Sequence, residues 1–126
     1  MRHYLYITEM GEAMTVNPTN DCLRDLQTLV GGLIECVPAD PDRLGMNADV
    51  WVNEEGLFIS GMGLNFVASY ITGRQLVGPC VITMERGGKT IGLMPEHLRT
   101  IRADGMEIDT NGNTHYSPDE AAAVRF

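Results

Sequence analysis

Two adjacent glycines, Gly31 and Gly32, separate a helical stretch of this chain from a strand-like one. The residues before them place apolar side chains on one face of a helix, at Leu23, Leu26 and Val30. The residues after them, 33–37, form a run typical of a strand. Gly31 is suited to end the helix in the left-handed conformation, and Gly32 allows an immediate reversal. The junction predicts an amphipathic helix over 20–31 that packs on a sheet through those three side chains.

A second junction, Asn53-Glu54-Glu55-Gly56, lies between two further strand-like runs, 49–52 and 57–60. Gly56 is expected to adopt a positive φ angle, which a β-branched residue tolerates poorly. The pattern therefore predicts a β-hairpin with this junction as its turn.

The remaining patterns alternate between short strands and short helices. Strand patterns cover residues 3–8, 13–16, 80–84 and 90–94. Helical patterns cover residues 64–71, closed by Gly73, and 95–102. The glycine pair at 87–88 predicts a hairpin turn, and the aperiodic stretch 38–47 predicts a loop.

Together these patterns predict an α+β fold. We expect a mixed or mainly antiparallel sheet of about five or six strands, with two or three helices packed mainly on one side. Residues 1–103 are expected to form a single domain. Residues 104–126 are expected to form a loop and a short C-terminal helix, and an arm that docks on a neighbour is one alternative for them. Exposed strand edges leave homodimerisation open.

The formal net charge is −8, and it is unevenly distributed. Residues 1–63 hold ten acidic side chains and three basic ones, whereas residues 74–102 hold five basic and two acidic ones. The acidic half is either a solvated surface or a face that meets a basic partner. Direct nucleic-acid binding is disfavoured because phosphate neutralisation requires clustered Lys and Arg.

The three cysteines, Cys22, Cys36 and Cys80, stand at unrelated spacings among apolar residues. We expect them to pack in the core of a protein from a reducing compartment. No apolar run reaches the length of a membrane span, and the N-terminus does not resemble a signal peptide. A cytoplasmic location is expected.

Recognisable reaction chemistry is absent from the sequence. The histidines and cysteines have no metal-ligand spacing, and no nucleophile elbow or phosphate-binding motif occurs. We therefore expect no enzymatic activity, no cofactor and no metal.

Two groups of polar residues are candidates for binding. The first group is a polar edge formed by Asn53, Glu54, Glu55 and Asn65, for which a solvated turn is the alternative. The second group contains the cations beside glycine-rich turns, Arg74, Arg86 and Lys89, which suit a phosphate group.

The two junctions also carry a resemblance. The run from Leu29 to Glu35, the Asn53-Glu54-Glu55-Gly56 turn, Asn65 and Val77-Gly78 resemble a family of small uncharacterised proteins encoded mainly by bacteriophages and mobile elements. The resemblance covers roughly residues 23–84. It brings no established activity, and it implies an accessory gene product that acts in the cytoplasm of a bacterial host.

Three hypotheses of function follow, and the third is an enzyme, which the absence of recognisable reaction chemistry disfavours. The first is a non-enzymatic accessory protein that binds a host or phage protein, with interference in a host defence system as one form of it. The second is a protein that binds or sequesters a small phosphorylated ligand, such as a nucleotide signal.

Overall fold

An antiparallel sheet of six strands forms the centre of the computed structural model, which describes residues 2–59, 61–101, 106–108 and 114–116. The strands are β1 (Tyr4–Ile7), β2 (Ala13–Val16), β3 (Ile34–Pro38), β4 (Asp49–Asn53), β5 (Cys80–Arg86) and β6 (Lys89–Ile91). Their order is β2-β1-β5-β4-β3, and β6 pairs with the end of β5. Every described pairing in this sheet is antiparallel, which confirms the predicted α+β class.

Among the described residues, four helices cover the two faces of the sheet. They are α1 (Cys22–Val30), α2 (Pro41–Leu44), α3 (Phe66–Thr72) and α4 (Pro95–Thr100). Helices α2, α3 and α4 contribute to one apolar cluster with β1, β4 and β5, whereas α1 packs in a second cluster. Strand β5 serves both clusters because its side chains alternate, with Ile82 in the first and Val81 in the second.

Helix α1 begins and ends close to its predicted bounds. The Asp21 carboxylate accepts a hydrogen bond from the Arg24 amide, and Gly31 ends the helix with a φ of 81°. The predicted apolar face is wrong at one position, since Leu23 is 56% exposed. The buried stripe instead joins Leu26 and Val30 to the partly buried Cys22 and Leu29, which leaves Leu23 on the flank of the helix.

The hairpin predicted around Asn53-Glu54-Glu55-Gly56 is wrong. Both edges of β4 are already paired, with β3 on one side and β5 on the other, so no position remains for a returning strand. The chain instead forms a 3-10 turn over Gly56–Phe58. Gly56 does not adopt a positive φ angle. It is required for a close approach, because a Cβ atom there would lie 2.9 Å from Cγ2 of Val77.

The loop predicted over 38–47 contains the short helix α2. Asp40 accepts a hydrogen bond from the Asp42 amide, and Pro41 occupies the first turn of the helix. This single turn was missed because it is too short to show a period. The predicted glycine turn at 87–88 is confirmed, with φ angles of 59° and 80°.

Beyond the sheet, two short strands pair antiparallel, β7 (Met106–Ile108) and β8 (Thr114–Tyr116). They lie in a stretch that the sequence predicts as a loop. The predicted C-terminal helix lies outside the described residues. Within the described ranges, no helix has the length and apolar character that crossing a membrane requires.

Candidate functional site

Asn53 closes the junction between α1 and β3 from the end of β4. It is only 6% exposed, and its Nδ2 atom donates a 3.2 Å hydrogen bond to the carbonyl oxygen of Val30. Its Oδ1 atom accepts a 2.8 Å hydrogen bond from the Glu55 amide. A Cβ atom on Gly32 would lie 2.9 Å from Asn53 Nδ2. The double glycine and the Asn-Glu-Glu-Gly junction are therefore two parts of one structural contact.

Asn65 is fully buried and connects three segments. Its Oδ1 atom caps α3 by accepting a 2.9 Å hydrogen bond from the Ala68 amide. Its Nδ2 atom donates to the carbonyl oxygens of Ile7 at 3.3 Å and Gly78 at 2.9 Å. Both amide hydrogens are thus used inside the fold.

The structure divides the predicted polar edge into two parts. Asn53 and Asn65 point into the fold, where their amides bond to backbone groups. Glu54 and Glu55 are exposed at the surface. The carboxylates are therefore the part of this group that is available to an external partner.

Three consecutive apolar side chains follow these carboxylates at the surface. The exposed fractions are 71% for Leu57, 87% for Phe58 and 38% for Ile59. We call residues 57–59 the apolar loop. Runs of exposed apolar side chains are uncommon on monomeric proteins and mark interaction surfaces. The sequence pattern predicts a returning strand for these three residues, so it does not indicate that they are exposed.

The apolar loop is held in place by short-range backbone contacts. The Phe58 amide donates to the Glu55 carbonyl oxygen at 2.9 Å, and the Ile59 amide donates to the Gly56 carbonyl oxygen at 3.3 Å. The buried Gly56 lies against Val77, and only the absence of a Cβ atom allows this close approach. These contacts define the 3-10 turn that carries the apolar loop.

The three predicted cations do not form one cluster. Arg74 lines a cavity beside α3 together with Arg43. Arg86 lines a different cleft with Arg2 and His97. Lys89 is exposed, and it lies opposite Arg86 in the register of β5 and β6. Sequence analysis missed Arg43, which joins Arg74 only through the folded positions of α2 and α3.

The cysteines occupy three different environments, which corrects the prediction that all of them lie in the core. Cys80 is buried, Cys22 is partly buried and Cys36 is exposed. Burial raises the pKa of the Cys80 thiol to about 12. For Cys36, desolvation of the thiol and then the neighbouring Asp49 carboxylate raise the pKa to about 11. Neither setting is the electropositive one that activates a thiol.

Among the described residues, no group of three or more His, Cys, Asp or Glu side chains is arranged to hold a metal ion.

Comparison with curated proteins found none that matches this chain, and comparison with solved structures found none either. A family match covers residues 1–104, which include all six strands of the central sheet and the four helices. The matched family is described as a domain of unknown function, DUF3846, and the chain belongs to this family.

Proposed function

We propose that this protein is a non-enzymatic protein-binding module and that the apolar loop is its contact surface. The observation that carries the proposal is the exposure of Leu57 and Phe58 on a 3-10 turn. Burying a side chain of this kind against a partner contributes about 1.5–3 kcal/mol. Two such residues side by side therefore provide a plausible centre for an interface.

The charges beside the loop favour one kind of partner. Glu54 and Glu55 are exposed immediately before it, and the whole chain carries a formal net charge of −8. Complementary charges increase association rates and select the partner more than they increase affinity. We infer that the partner presents an apolar pocket with basic groups at its rim.

We further propose that the protein is an accessory product of a phage or mobile element and acts on a host system in the bacterial cytoplasm. The resemblance of the double-glycine and Asn-Glu-Glu-Gly segments to such proteins supports this context. A host defence component is one target that fits it.

The test compares proteins that co-purify with three tagged forms from bacterial host cells. The forms are the wild type, the double variant Leu57→Ser with Phe58→Ser, and the control Leu23→Ser. Leu23 is a matched control because it is also a large exposed apolar residue, on α1. We expect one protein to be retained stoichiometrically by the wild type and by the control, and to fall at least about tenfold with the double variant. Equal retention by all three forms, or no retained protein, would contradict the proposal.

A further inference from the structure

A surface cavity of about 560 Å³ lies beside α3, with Arg43 and Arg74 in its lining. Its volume falls within the range of small-molecule sites, roughly 300–1,000 Å³. We propose that this cavity binds a mononucleotide, with the phosphate on the two arginines and the base against Phe66 and Tyr70. The cavity is distinct from the apolar loop, so this inference does not depend on the protein-binding function proposed above.

Arg43 reaches the backbone of α3 close to Gly73, the residue that precedes Arg74. The Arg43 Nη1 atom donates a 2.8 Å hydrogen bond to the Tyr70 carbonyl oxygen. A Cβ atom on Gly73 would lie only 3.7 Å from the same Nη1 atom. Arg43 therefore lies against the residue that precedes Arg74 in the chain. Both arginines line the cavity, and a guanidinium group supplies the planar, multiple donors from which phosphate oxygens accept hydrogen bonds.

The carboxylates near these arginines hold them only weakly. Arg74 Nη2 lies 3.6 Å from Glu35 Oε2, and Arg43 Nε lies 3.8 Å from Asp40 Oδ2. All four side chains are between 41% and 56% exposed. Exposed ion pairs of this length contribute little to stability. A phosphate group, which has more charge and more acceptor atoms than one carboxylate, is able to compete for the same donors.

The lining of the cavity also contains two aromatic side chains, Phe66 and Tyr70. Phe66 begins α3 and is 51% exposed, and Tyr70 lies one turn later on the same side of the helix. Both residues line the cavity, and so does Gln75, whose amide both donates and accepts hydrogen bonds. Aromatic side chains bind planar bases through their faces. A base carried on a phosphorylated sugar therefore fits this lining better than inorganic phosphate does.

The ring of Tyr70 also contacts the guanidinium group of Arg43. The Cζ atom of Arg43 lies 5.3 Å from the centroid of the Tyr70 ring, within the range of a cation–π contact. This contact positions the Arg43 guanidinium at the wall of the cavity. The anionic and aromatic parts of the proposed ligand would then meet adjacent parts of one surface.

Isothermal titration calorimetry tests the proposal with four probes: AMP, UMP, adenosine and inorganic phosphate. We expect at least one of the two nucleotides to bind about tenfold or more tightly than adenosine and phosphate, because it uses both parts of the cavity. Raising the salt concentration should weaken the interaction. Failure of both nucleotides to bind at millimolar concentration, or equal binding of adenosine, would overturn the proposal.

Three substitutions locate the site. Arg74→Ala should weaken nucleotide binding about tenfold, because a charged hydrogen-bonding group is lost. Arg86→Ala is the matched control, since Arg86 is an exposed arginine in a different cleft, and it should leave the affinity unchanged. Glu35→Gln should tighten binding about two- to threefold, because it removes the carboxylate that competes for Arg74. An affinity that does not respond to Arg74→Ala would place the ligand elsewhere and overturn the inference. The double variant Leu57→Ser with Phe58→Ser should still bind, which separates this test from that of the proposed protein partner.

Discussion

The side-chain amide of Asn53 donates a 3.2 Å hydrogen bond to the carbonyl oxygen of Val30, the last residue of α1. The contact joins two segments that are well separated in the sequence. It satisfies a carbonyl group at the end of the helix, where no further turn provides a donor. The same amide occupies the space that a side chain on Gly32 would need.

Replacing Asn53 with alanine should destabilise the fold. The variant leaves the Val30 carbonyl and the Glu55 amide without their partner, so the free energy of unfolding should fall by about 1–3 kcal/mol. Urea denaturation measures this change. The control is Glu54→Ala, an exposed neighbour, which should change stability by less than about 0.5 kcal/mol. Equal effects of the two substitutions would contradict the structural role of Asn53.

The same contact predicts coupling between Asn53 and Gly32. Gly32→Ala should destabilise the wild type. Its new Cβ atom would lie 2.9 Å from Asn53 Nδ2, which is too close, so the Asn53 amide would have to move. In the Asn53→Ala background this displacement no longer matters, so Gly32→Ala should have a smaller effect. The double-mutant cycle should give an interaction energy of about 0.5 kcal/mol or more, and additive effects would argue against the contact.

Asn65→Ala should be the more severe of the two asparagine substitutions. It removes the cap of α3 and two further bonds, to the carbonyl oxygens of Ile7 and Gly78. We expect a loss of about 2–4 kcal/mol in the free energy of unfolding. The exposed Asn47 provides the control, and Asn47→Ala should have little effect. A loss for Asn65→Ala that is smaller than that for Asn53→Ala would be evidence against this network.

These asparagines show what the sequence does and does not reveal. The residue types around Gly31 predict a helix end and a strand start, because capping and periodicity are local properties. Whether Asn53 faces solvent or Val30 depends on where β4 lies relative to α1, which is a tertiary property. The local pattern therefore predicts a polar edge that includes Asn53 and Asn65, whereas the structure buries both side chains.

The exposure of the apolar loop, residues 57–59, has a similar cause. An apolar run after a turn matches the local pattern of a hairpin, and nothing within the run shows that β4 is paired on both edges. The pairing partner on that side, β5, begins at Cys80 and is remote in the sequence. Long-range strand pairing thus excludes Leu57 and Phe58 from a position in the sheet beside β4.

Gly92 should be intolerant of a side chain. A Cβ atom there would lie 2.9 Å from the backbone N, C and O atoms of His3, which cannot move without breaking the bridge between His3 and Leu93. Gly92→Ala should therefore lower the free energy of unfolding by about 2 kcal/mol or more, as measured by thermal or chemical denaturation.

The control for Gly92 is Gly63→Ala. A Cβ atom on Gly63 would make only ordinary contacts, at 3.6 Å or more, with the side chain of Glu9. This variant should lie within about 0.5 kcal/mol of the wild type. If Gly92→Ala were as stable as Gly63→Ala, the close packing of the His3 backbone against Gly92 would be refuted.

The reactivity of Cys36 should depend steeply on pH. Its raised pKa of about 11 leaves little thiolate at neutral pH, although the residue is exposed. Because the thiolate is the reacting form, alkylation by iodoacetamide should speed up about tenfold per pH unit between pH 7 and pH 10. Peptide mapping by mass spectrometry follows the site directly. A rate that levels off below pH 9 would contradict the raised pKa.

Cys80 is the internal comparison for this experiment. It is buried and its pKa is raised to about 12, so it should stay unmodified throughout the same pH range while the protein is folded. Modification of Cys80 at the rate of Cys36 would contradict its burial. As a control for detection, Cys80 should become modified once denaturant is added.

The candidate binding cavity could be predicted only in part. Arg74 stood out in the sequence because it follows Gly73, and that residue was expected to end a helix. Arg43 lies in a segment assigned to a loop, and its approach to Gly73 depends on how α2 meets α3. Conversely, Arg86 and Lys89 share the composition of a phosphate site with Arg74, but they lie at the β5–β6 turn, and Arg86 lines a different cleft.

The central claim, that the apolar loop meets a protein partner, is tested most directly by photo-crosslinking in bacterial host cells. A benzoylphenylalanine side chain in place of Phe58 samples the most exposed position of the loop, and the same group in place of Leu23 serves as the control. The account predicts a discrete crosslinked protein at position 58, absent at position 23, whose yield falls when Leu57→Ser is added. No crosslink at position 58, or the same products at both positions, would contradict it.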